Sequence, residues 1–321
     1  MKAIVCHRYG SPEALRCEDV EKPTAGEDDV LLKVRAAAVN PLDWHLLRGT
    51  PYLGRVVLGL RKPRVTRPGR DVAGLVEAVG GNVTRFKPGD AVFGVCRGAF
   101  AEYACASQSK LVIKPENVTF AQAAAVPVAA LTALQGLRDK GRIQPGQKVL
   151  IHGAAGGVGT FAVQIAKAFG AEVTAVCSPR NAEMVRSIGA DRVIDRTRED
   201  FTTSRQRYDL ILDCFATHSL LACRRVLSPG GVYVLVGGPV GSITGLMARS
   251  LTALALSRLP RRKLLMLLTR SSPEDLTVLS ELLEAGKVKP VLDRRHGLSA
   301  VPEAIRYLAE GHARGKIVIT V

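Results

Sequence analysis

Aromatic residues are scarce in this chain: they make up 5% of its 321 residues, with a single tryptophan. The aromatic-rich motifs of nucleic-acid-binding modules are therefore missing, and no specific nucleic-acid partner is predicted. The seven cysteines are odd in number and include no Cys-x-x-Cys pair, which indicates free thiols in a reducing compartment. No apolar run is long enough to span a bilayer. The chain begins directly with the strand-like Lys2–Cys6, so we expect no signal or transit peptide and a cytoplasmic location.

Acidic residues are outnumbered by basic ones, 29 against 45, which gives a formal net charge of +16. This charge favours anionic ligands such as phosphates, and leaves open nucleic acid, an acidic membrane surface or a merely solvated basic surface. The leucine-rich basic segment 241–270 allows two interpretations. It is either an amphipathic helix with a weak membrane-surface contact, or a packed helix followed by an edge strand at Lys263–Leu268.

The segment Val149–Thr160 has the order of a dinucleotide-binding crossover. Three apolar residues, Val149 to Ile151, predict a buried parallel strand. A Gly/Ala-rich turn follows, and then apolar residues at helical spacing as far as Phe169. Gly156 would let the backbone approach a pyrophosphate and Gly159 would let the helix pack on the strand, although Ala154 replaces the first glycine of the fingerprint. The alternative is an ordinary tight turn between a strand and a helix.

The pattern of elements predicts an α/β protein with two domains. Short strands without intervening helices fill residues 1–124 and indicate a compact, barrel-like β domain. From residue 148 strands and helices alternate, which predicts a doubly wound parallel sheet of the Rossmann type in a domain of residues 125–271. Residues 272–321 are predicted to complete the first domain, ending in the strand Lys316–Val321. The strand and helix candidates are Lys2–Cys6, Val30–Ala38, Val72–Val79, Ala91–Gly94, Glu102–Ala106, Leu111–Lys114, Ala121–Ala133, Glu172–Val176, Asn181–Ile188, Arg192–Ile194, Leu210–Asp213, Ser219–Val226, Gly231–Val236, Pro273–Ala285 and Val301–Glu310.

Several blocks together resemble the zinc-independent quinone oxidoreductase (zeta-crystallin-like) branch of the medium-chain dehydrogenases/reductases. They are Ala38–Asp43, Pro68–Gly80, Lys87–Phe93, Leu131–Leu134, His152–Gly159 and Gly311–Lys316, in the family's order and spacing. The resemblance covers essentially the whole chain. It implies a GroES-like β-barrel-type domain with a Rossmann domain, and a homodimer that pairs through the edge strand Lys263–Leu268.

Zinc is not expected. Where zinc-dependent relatives have Gly-His-Glu, this chain has Gly69-Arg70-Asp71, and their first cysteine ligand falls in Asn40–Asp43. A catalytic zinc needs about three protein ligands and a structural zinc about four, and neither set is present in the sequence. Without this Lewis acid the favoured chemistry is hydride delivery from a reduced nicotinamide to a quinone or an α,β-unsaturated carbonyl.

The second Rossmann strand indicates the phosphorylated cofactor, NADP(H). An NAD enzyme usually has an acid at the end of that strand to hold the ribose 2′-hydroxyl. Here the strand continues into Ser178 and Arg180, which suit a 2′-phosphate, and Arg196 follows the third strand. The alternative is that both arginines are surface charges.

The resemblance implies further contacts. The pyrophosphate is expected at Ala155, Gly156, Gly157 and Val158, and the nicotinamide side at Thr132, Thr217, Val236, Gly237 and Gly238. Lys316 is expected to reach the cofactor phosphates. On the substrate side, Asn40 is expected to contact the substrate or the carboxamide, and His45 or Tyr52 to donate a proton.

Two neighbouring features complete the substrate side. Asp43 is expected to cap a helical turn that follows it. The apolar and basic segment 53–64 is expected to form one wall of an entrance for a hydrophobic small-molecule acceptor. Two other functions stay open: an NADP-dependent alcohol dehydrogenase or carbonyl reductase, and a non-enzymatic NADPH-binding protein that associates with RNA or a membrane.

Overall fold

The structure is a computed structural model that describes residues 1–50, 52, 55–238 and 262–321. The chain divides into two units. One unit comprises Met1–Ala129, Ser271–Gly286 and Pro290–Val321, and the other Ala130–Arg270 with Lys287–Lys289. The strands are β1 Lys2–Cys6, β2 Leu15–Asp19, β3 Asp29–Ala38, β4 Asp71–Val79, β5 Ala91–Val95, β6 Tyr103–Ser107, β7 Leu111–Ile113, β8 Lys148–His152, β9 Glu172–Cys177, β10 Arg192–Asp195, β11 Tyr208–Asp213, β12 Leu227–Leu235, β13 Lys263–Met266, β14 Leu292–Gly297 and β15 Lys316–Thr320. The helices are α1 Pro41–Arg48, α2 Arg55–Leu58, α3 Phe120–Ala124, α4 Pro127–Leu134, α5 Gly157–Ala168, α6 Ala182–Ser187, α7 Leu220–Arg225, α8 Pro273–Glu284 and α9 Val301–Ala309, and Gln135–Lys140 continues α4 as a π-helix.

In the described part of the first unit, seven strands form a mixed sheet. Its order is β14-β15-β3-β4-β5-β7, and β6 pairs with β3. The late strand β15 lies between β14 and β3, parallel to the former and antiparallel to the latter. Residue 74 of β4 is a glycine because an added Cβ would lie 2.3 Å from the carbonyl oxygen of Lys33 on β3. The tail strand β15 thus belongs to the sheet of the first unit, whereas β2 and β14 were not predicted.

The described residues of the second unit form a parallel sheet of six strands in the order β10-β9-β8-β11-β12-β13. This is the doubly wound order of dinucleotide-binding domains. The register places His152 of β8 beside Val176 of β9 and Asp213 of β11. The carboxyl ends of these three strands therefore share one edge of the sheet, where such folds bind their ligands.

Some predicted boundaries are wrong for identifiable reasons. The predicted helix Ala121–Ala133 is two helices, because Pro127 has no N–H to donate and disfavours helical backbone before it. Lys263–Met266 forms an edge strand as predicted, while the proposed amphipathic helix before it lies outside the described residues. None of the helices in the described ranges combines the length and apolar character needed to cross a membrane.

Candidate functional site

The turn between β8 and α5 has the shape that a dinucleotide phosphate requires. An added Cβ on Gly159 would lie 2.2 Å from the carbonyl oxygen of Gly153, so only glycine lets α5 approach the turn. At Gly156 the same atom would have no neighbour closer than 3.5 Å, so the space above the turn is open. Gly157 begins α5 and is half-buried, as is Val158, whereas Ala155 is buried. The first N–H groups of a helix have no partner within it and favour an anion.

A buried hydrogen-bond network lies at the same edge of the sheet, and sequence reasoning missed it. Asp213 Oδ1 lies 2.8 Å from His152 Nδ1, and Asp213 Oδ2 accepts a hydrogen bond from the Tyr233 hydroxyl at 2.6 Å. Burial raises the pKa of Asp213, but His152 and Tyr233 outweigh it and the net shift is downward. The sequence contained a signal for this network, because an acid that follows the buried apolar run Leu210–Leu212 needs hydrogen-bond partners.

Asp213 also shapes the loop that follows β11. Its Oδ1 accepts the N–H groups of Phe215 at 3.1 Å and Ala216 at 2.6 Å, and Ala216 has a positive φ of 44°. Thr217, predicted to lie near the nicotinamide ribose, is exposed at the end of this loop. The carboxylate therefore sets the backbone path on which Thr217 stands.

The residues predicted for the ribose 2′-phosphate come to one edge of the sheet. β9 ends at Cys177 and Ser178 follows it, with the Ser178 Oγ accepting from Asn181 Nδ2 at 3.1 Å. Arg196 directly follows β10, and its backbone N–H donates to the Cys177 carbonyl at 3.0 Å. Both Arg180 and Arg196 are exposed. The edge thus presents a hydroxyl and two guanidinium groups.

One acid at this edge was not weighed from the sequence. Asp195 ends β10 beside Cys177, and its Oδ1 accepts from the backbone N–H and the hydroxyl of Thr197 at 2.9 and 2.7 Å. These bonds hold the pKa of Asp195 below its usual value. The carboxylate is engaged in closing its own turn, whereas the ribose-binding acid of NAD enzymes stands at the end of the second strand.

The remaining residues predicted for the nicotinamide side belong to the second unit as well. Val236 and Gly237 donate their N–H groups to the Asp213 carbonyl at 2.9 and 3.4 Å, which brings the end of β12 to the edge described above. Gly238 is half-buried, and an added Cβ would meet no atom within 4 Å. Thr132 is buried, with its hydroxyl 2.9 Å from that of Thr269.

In the first unit, Asn40 belongs to a buried polar network. Lys316 Nζ donates to Asn40 Oδ1 at 2.6 Å and lies 3.3 Å from Asp71 Oδ2, which also accepts from Asn40 Nδ2 at 2.9 Å. The other Asp71 oxygen accepts the N–H of Val128 at 3.0 Å. Lys316 is 3% exposed. The expectation that its ammonium reaches cofactor phosphates is corrected, because this network in the first unit encloses it.

Asp43 stands inside α1 rather than before it. The helix begins at Pro41, and the Asp43 Oδ2 accepts the backbone N–H of Asn40 at 2.8 Å. The predicted cap of a later turn is thus wrong, and Pro41 at the first helical position was the signal for the true start. Burial raises the pKa of Asp43 to about 7, and the charge of Asp71 adds to the shift.

The predicted proton donors, His45 and Tyr52, are less buried than Asn40. His45 is half-buried, its Nδ1 lies 3.3 Å from the Thr50 hydroxyl, and burial lowers its pKa. Tyr52 is 70% exposed, and its ring centre lies 4.8 Å from the Arg55 guanidinium carbon. A proton-donating role for either residue stays a prediction.

Comparison with known proteins matches both parts of the chain. The alcohol dehydrogenase GroES-like domain model covers residues 26–116, and the zinc-binding dehydrogenase model covers residues 188–319. A chloroplast envelope quinone oxidoreductase homolog of Arabidopsis thaliana is 35% identical over 99% of this chain and 98% of its own length. This chain belongs to the quinone oxidoreductase branch of the medium-chain dehydrogenase/reductase family. It is therefore an oxidoreductase with a GroES-like domain and a Rossmann domain.

Two further members of the branch are similar over almost the whole chain. The chloroplastic NADPH-dependent alkenal/one oxidoreductase of Arabidopsis thaliana is 34% identical over 99% of this chain and 79% of its own length. The solved structure of the quinone oxidoreductase from Coxiella burnetii has a TM-score of 0.87 and 30% identity, and covers 100% of this chain and 99% of that one.

Some dehydrogenases of this superfamily use zinc, and the residues of this branch member do not fit it. Asp71, in the segment where zinc-dependent relatives have ligands, already binds an ammonium, an amide and a backbone N–H. In the part of the chain that the structure describes, no group of three or more His, Cys, Asp or Glu side chains could hold a metal ion.

Proposed function

We propose that this oxidoreductase transfers a hydride from NADPH to a quinone or an α,β-unsaturated carbonyl without zinc. The observation that carries this proposal is the set of residues that follow β9 and β10 in the second unit, where we expect the ribose 2′-phosphate to bind; we call this place the ribose edge. Ser178 and Arg180 follow β9, Arg196 follows the neighbouring strand β10, and β9 ends without an acid. A serine hydroxyl and two guanidinium groups complement a phosphate, whereas a free 2′-hydroxyl calls for a carboxylate. The names of the quinone and alkenal/one oxidoreductase relatives support the choice of acceptor.

The residues of the chain bind and orient in this mechanism. Ala155, Gly156, Gly157 and Val158 would hold the pyrophosphate, with the open space at Gly156 and the start of α5 facing it. The loop carrying Thr217 and the end of β12, Val236 to Gly238, would hold the nicotinamide side, both positioned by Asp213. When bound, NADPH supplies the hydride. His45, Tyr52 or water supplies the proton that completes the reduction of the acceptor.

Cofactor choice can be tested by substitution at the ribose edge. Arg180→Ala and Arg196→Ala should each weaken NADPH binding by roughly 10- to 100-fold, the value of a charge-assisted hydrogen bond. Binding of NADH should change little, because NADH lacks the phosphate. Arg205→Ala, another exposed arginine of the second unit, serves as the control. Calorimetric titration of both cofactors measures the effect, and equal losses for NADPH and NADH would remove the 2′-phosphate role.

Acceptor choice needs a separate assay. The purified protein is mixed with NADPH and either a quinone or a 2-alkenal, and the loss of cofactor absorbance is followed. We expect oxidation with at least one acceptor. Tight NADPH binding without oxidation by either acceptor would favour the non-enzymatic alternative, and oxidation only with simple aldehydes or ketones would favour a carbonyl reductase.

Location and assembly follow as smaller proposals. All seven cysteines are free thiols, which supports a reducing compartment such as the cytoplasm. Among the described residues β13 is the last strand of the parallel sheet, and an unpaired strand edge is a natural surface for pairing with a second copy. We expect a homodimer by light scattering. A monomer at all concentrations would refute this assembly.

A further inference from the structure

The segment 44–70 of the first unit has no acidic residue. Between Asp43 and Asp71 the chain contains seven cations, namely Arg48, Arg55, Arg61, Lys62, Arg64, Arg67 and Arg70. Two longer stretches, 140–171 and 214–273, also lack acidic residues, but 44–70 has more cations for its length, with seven in 27 residues. The local charge of +7 is not neutralised within the segment, so it presents a positive surface to any anionic partner.

The same segment exposes large apolar side chains. Tyr52 is 70% exposed, Val56 64%, Leu60 70% and Val65 50%. Nine large hydrophobic residues of the described chain are exposed, and four of them fall within the 14 positions from 52 to 65. Single exposed apolar residues are ordinary, but such a concentration indicates an interaction surface. We call these four residues, together with Arg61, Lys62 and Arg64, the basic apolar face.

The backbone beneath this face is anchored to the first unit. The Tyr9 hydroxyl donates to the Gly59 carbonyl at 2.8 Å, and the Cys6 N–H donates to the Thr66 carbonyl at 2.7 Å. Gly59 has a φ of 114°, and an added Cβ would lie 2.0 Å from the Lys62 carbonyl oxygen, so the turn through Arg61 and Lys62 is tight. The stretch that carries Leu60, Arg61, Lys62, Arg64 and Val65 is therefore held to the first unit at both of its ends.

We propose that the basic apolar face docks on an anionic lipid bilayer. Aliphatic side chains such as Val56 and Leu60 gain free energy by entering the interfacial region of a membrane, and nearby cations are attracted to anionic headgroups. A nucleic acid would use the cations but not the aliphatic groups, since bases stack on aromatic side chains and Tyr52 is the only one of the face. This inference does not depend on the acceptor or the cofactor proposed above.

Vesicle flotation with the full chain tests the proposal. Binding is compared between vesicles of neutral phosphatidylcholine and vesicles that also contain phosphatidylglycerol, at low and high salt. We expect binding only to the anionic vesicles, weakened by salt. The triple variant Arg61→Gln, Lys62→Gln, Arg64→Gln should bind roughly a hundredfold more weakly. The control triple Arg16→Gln, Lys87→Gln, Lys110→Gln lowers the net charge equally at exposed sites elsewhere and should retain binding.

The apolar contribution is tested by Val56→Ser with Leu60→Ser, which should weaken vesicle binding by about tenfold. Leu268→Ser, 72% exposed in the second unit, is its control. Because these side chains are exposed, the thermal unfolding midpoint should stay unchanged. No binding to anionic vesicles, or equal losses from the two charge triples, would overturn the proposal. So would vesicle binding that ignores the serine variants while a single-stranded RNA oligonucleotide binds through the same cations.

Discussion

Lys316 and Asn40 are joined by a hydrogen bond of 2.6 Å from the Lys316 Nζ to the Asn40 Oδ1, although 276 residues separate them in the chain. Asp71 completes the arrangement, since its Oδ2 accepts from both side chains. The bond ties the residue before α1 to the last strand of the first unit. It also fixes the amide of Asn40, whose contact with the substrate or the carboxamide stays a prediction.

Removal of the Lys316 charge should destabilise the first unit strongly. Lys316→Met leaves the buried carboxylate of Asp71 without a counter-charge, which costs about 3–5 kcal/mol of unfolding free energy. Urea denaturation measures the loss. Lys2→Met is the control, because the Lys2 side chain is 53% exposed in its ion pair with Asp19 and an exposed pair contributes little. Similar midpoints for the two variants would contradict the role of the buried network.

Asp43 should make stability depend on pH near neutrality. Its pKa is raised from 3.8 to about 7 in the folded chain, so its contribution is complete below the unfolded value and is lost as pH rises through 7. The slope in this window approaches about 1.4 kcal/mol per pH unit. The unfolding free energy of the native chain minus that of Asp43→Asn should therefore fall between about pH 5 and pH 7 and level off above.

The control for this experiment is Asp19→Asn. Asp19 is exposed, and its hydrogen bond with Lys2 lowers its pKa, so it titrates below the window. Its difference curve should be flat, and a flat curve for Asp43→Asn as well would mean that Asp43 is ionised throughout.

Tyr233 should contribute through its hydroxyl alone. Tyr233→Phe keeps the ring in the core but removes the donor to Asp213 Oδ2, a bond of 2.6 Å to a charged acceptor. Such a loss costs about 1.5–3 kcal/mol. Tyr52→Phe, at a 70% exposed position, is the control and should leave the unfolding free energy almost unchanged. Urea denaturation curves of both variants measure the two losses. If both variants unfold like the native chain, Asp213 does not need this donor.

Substitution by alanine should affect stability strongly at one glycine of this turn and little at another. At Gly159 the new Cβ would meet backbone 2.2 Å away, so Gly159→Ala should lower thermal stability. At Gly156 the nearest atom is 3.5 Å away, so Gly156→Ala should stay within about 1 kcal/mol of native stability, the usual scale of a change at a helix N-cap.

Cofactor binding then separates the roles. Gly156→Ala should weaken NADPH binding by at least about tenfold if the pyrophosphate lies against this residue, since the methyl group occupies its space. Unchanged affinity for NADPH would place the phosphates elsewhere.

The sequence predicted the elements whose signals are local. The strand, turn and helix from Val149 to Phe169 were predicted because apolar spacing and glycines act within about 20 residues. The edge strand at Lys263 and the return of the tail followed from the alternation of elements and the family resemblance. Pro41 and Pro127 carried boundary information that the apolar pattern obscured.

The polar networks could not be predicted in the same way. His152, Asp213 and Tyr233 come from three strands, and only the register of the sheet brings them within hydrogen-bond distance. Lys316 was expected to reach the cofactor phosphates, because nothing in the sequence indicates that β15 enters the sheet between β14 and β3. Such contacts depend on tertiary packing, which overrides local sequence signals.

The position of β15 in the sheet has a consequence for synthesis. A ribosome releases Asn40 and Asp71 long before Lys316. Until its final strand emerges, the growing first unit therefore carries an unpaired stretch of β3 at Ala36–Ala38 and an Asp71 carboxylate without its ammonium partner. Unpaired strand edges are templates for wrong pairing. The contiguous segment from Ala130 to Arg270 leaves the ribosome before Lys316 does, so the second unit can begin to fold before the last strand completes the sheet of the first.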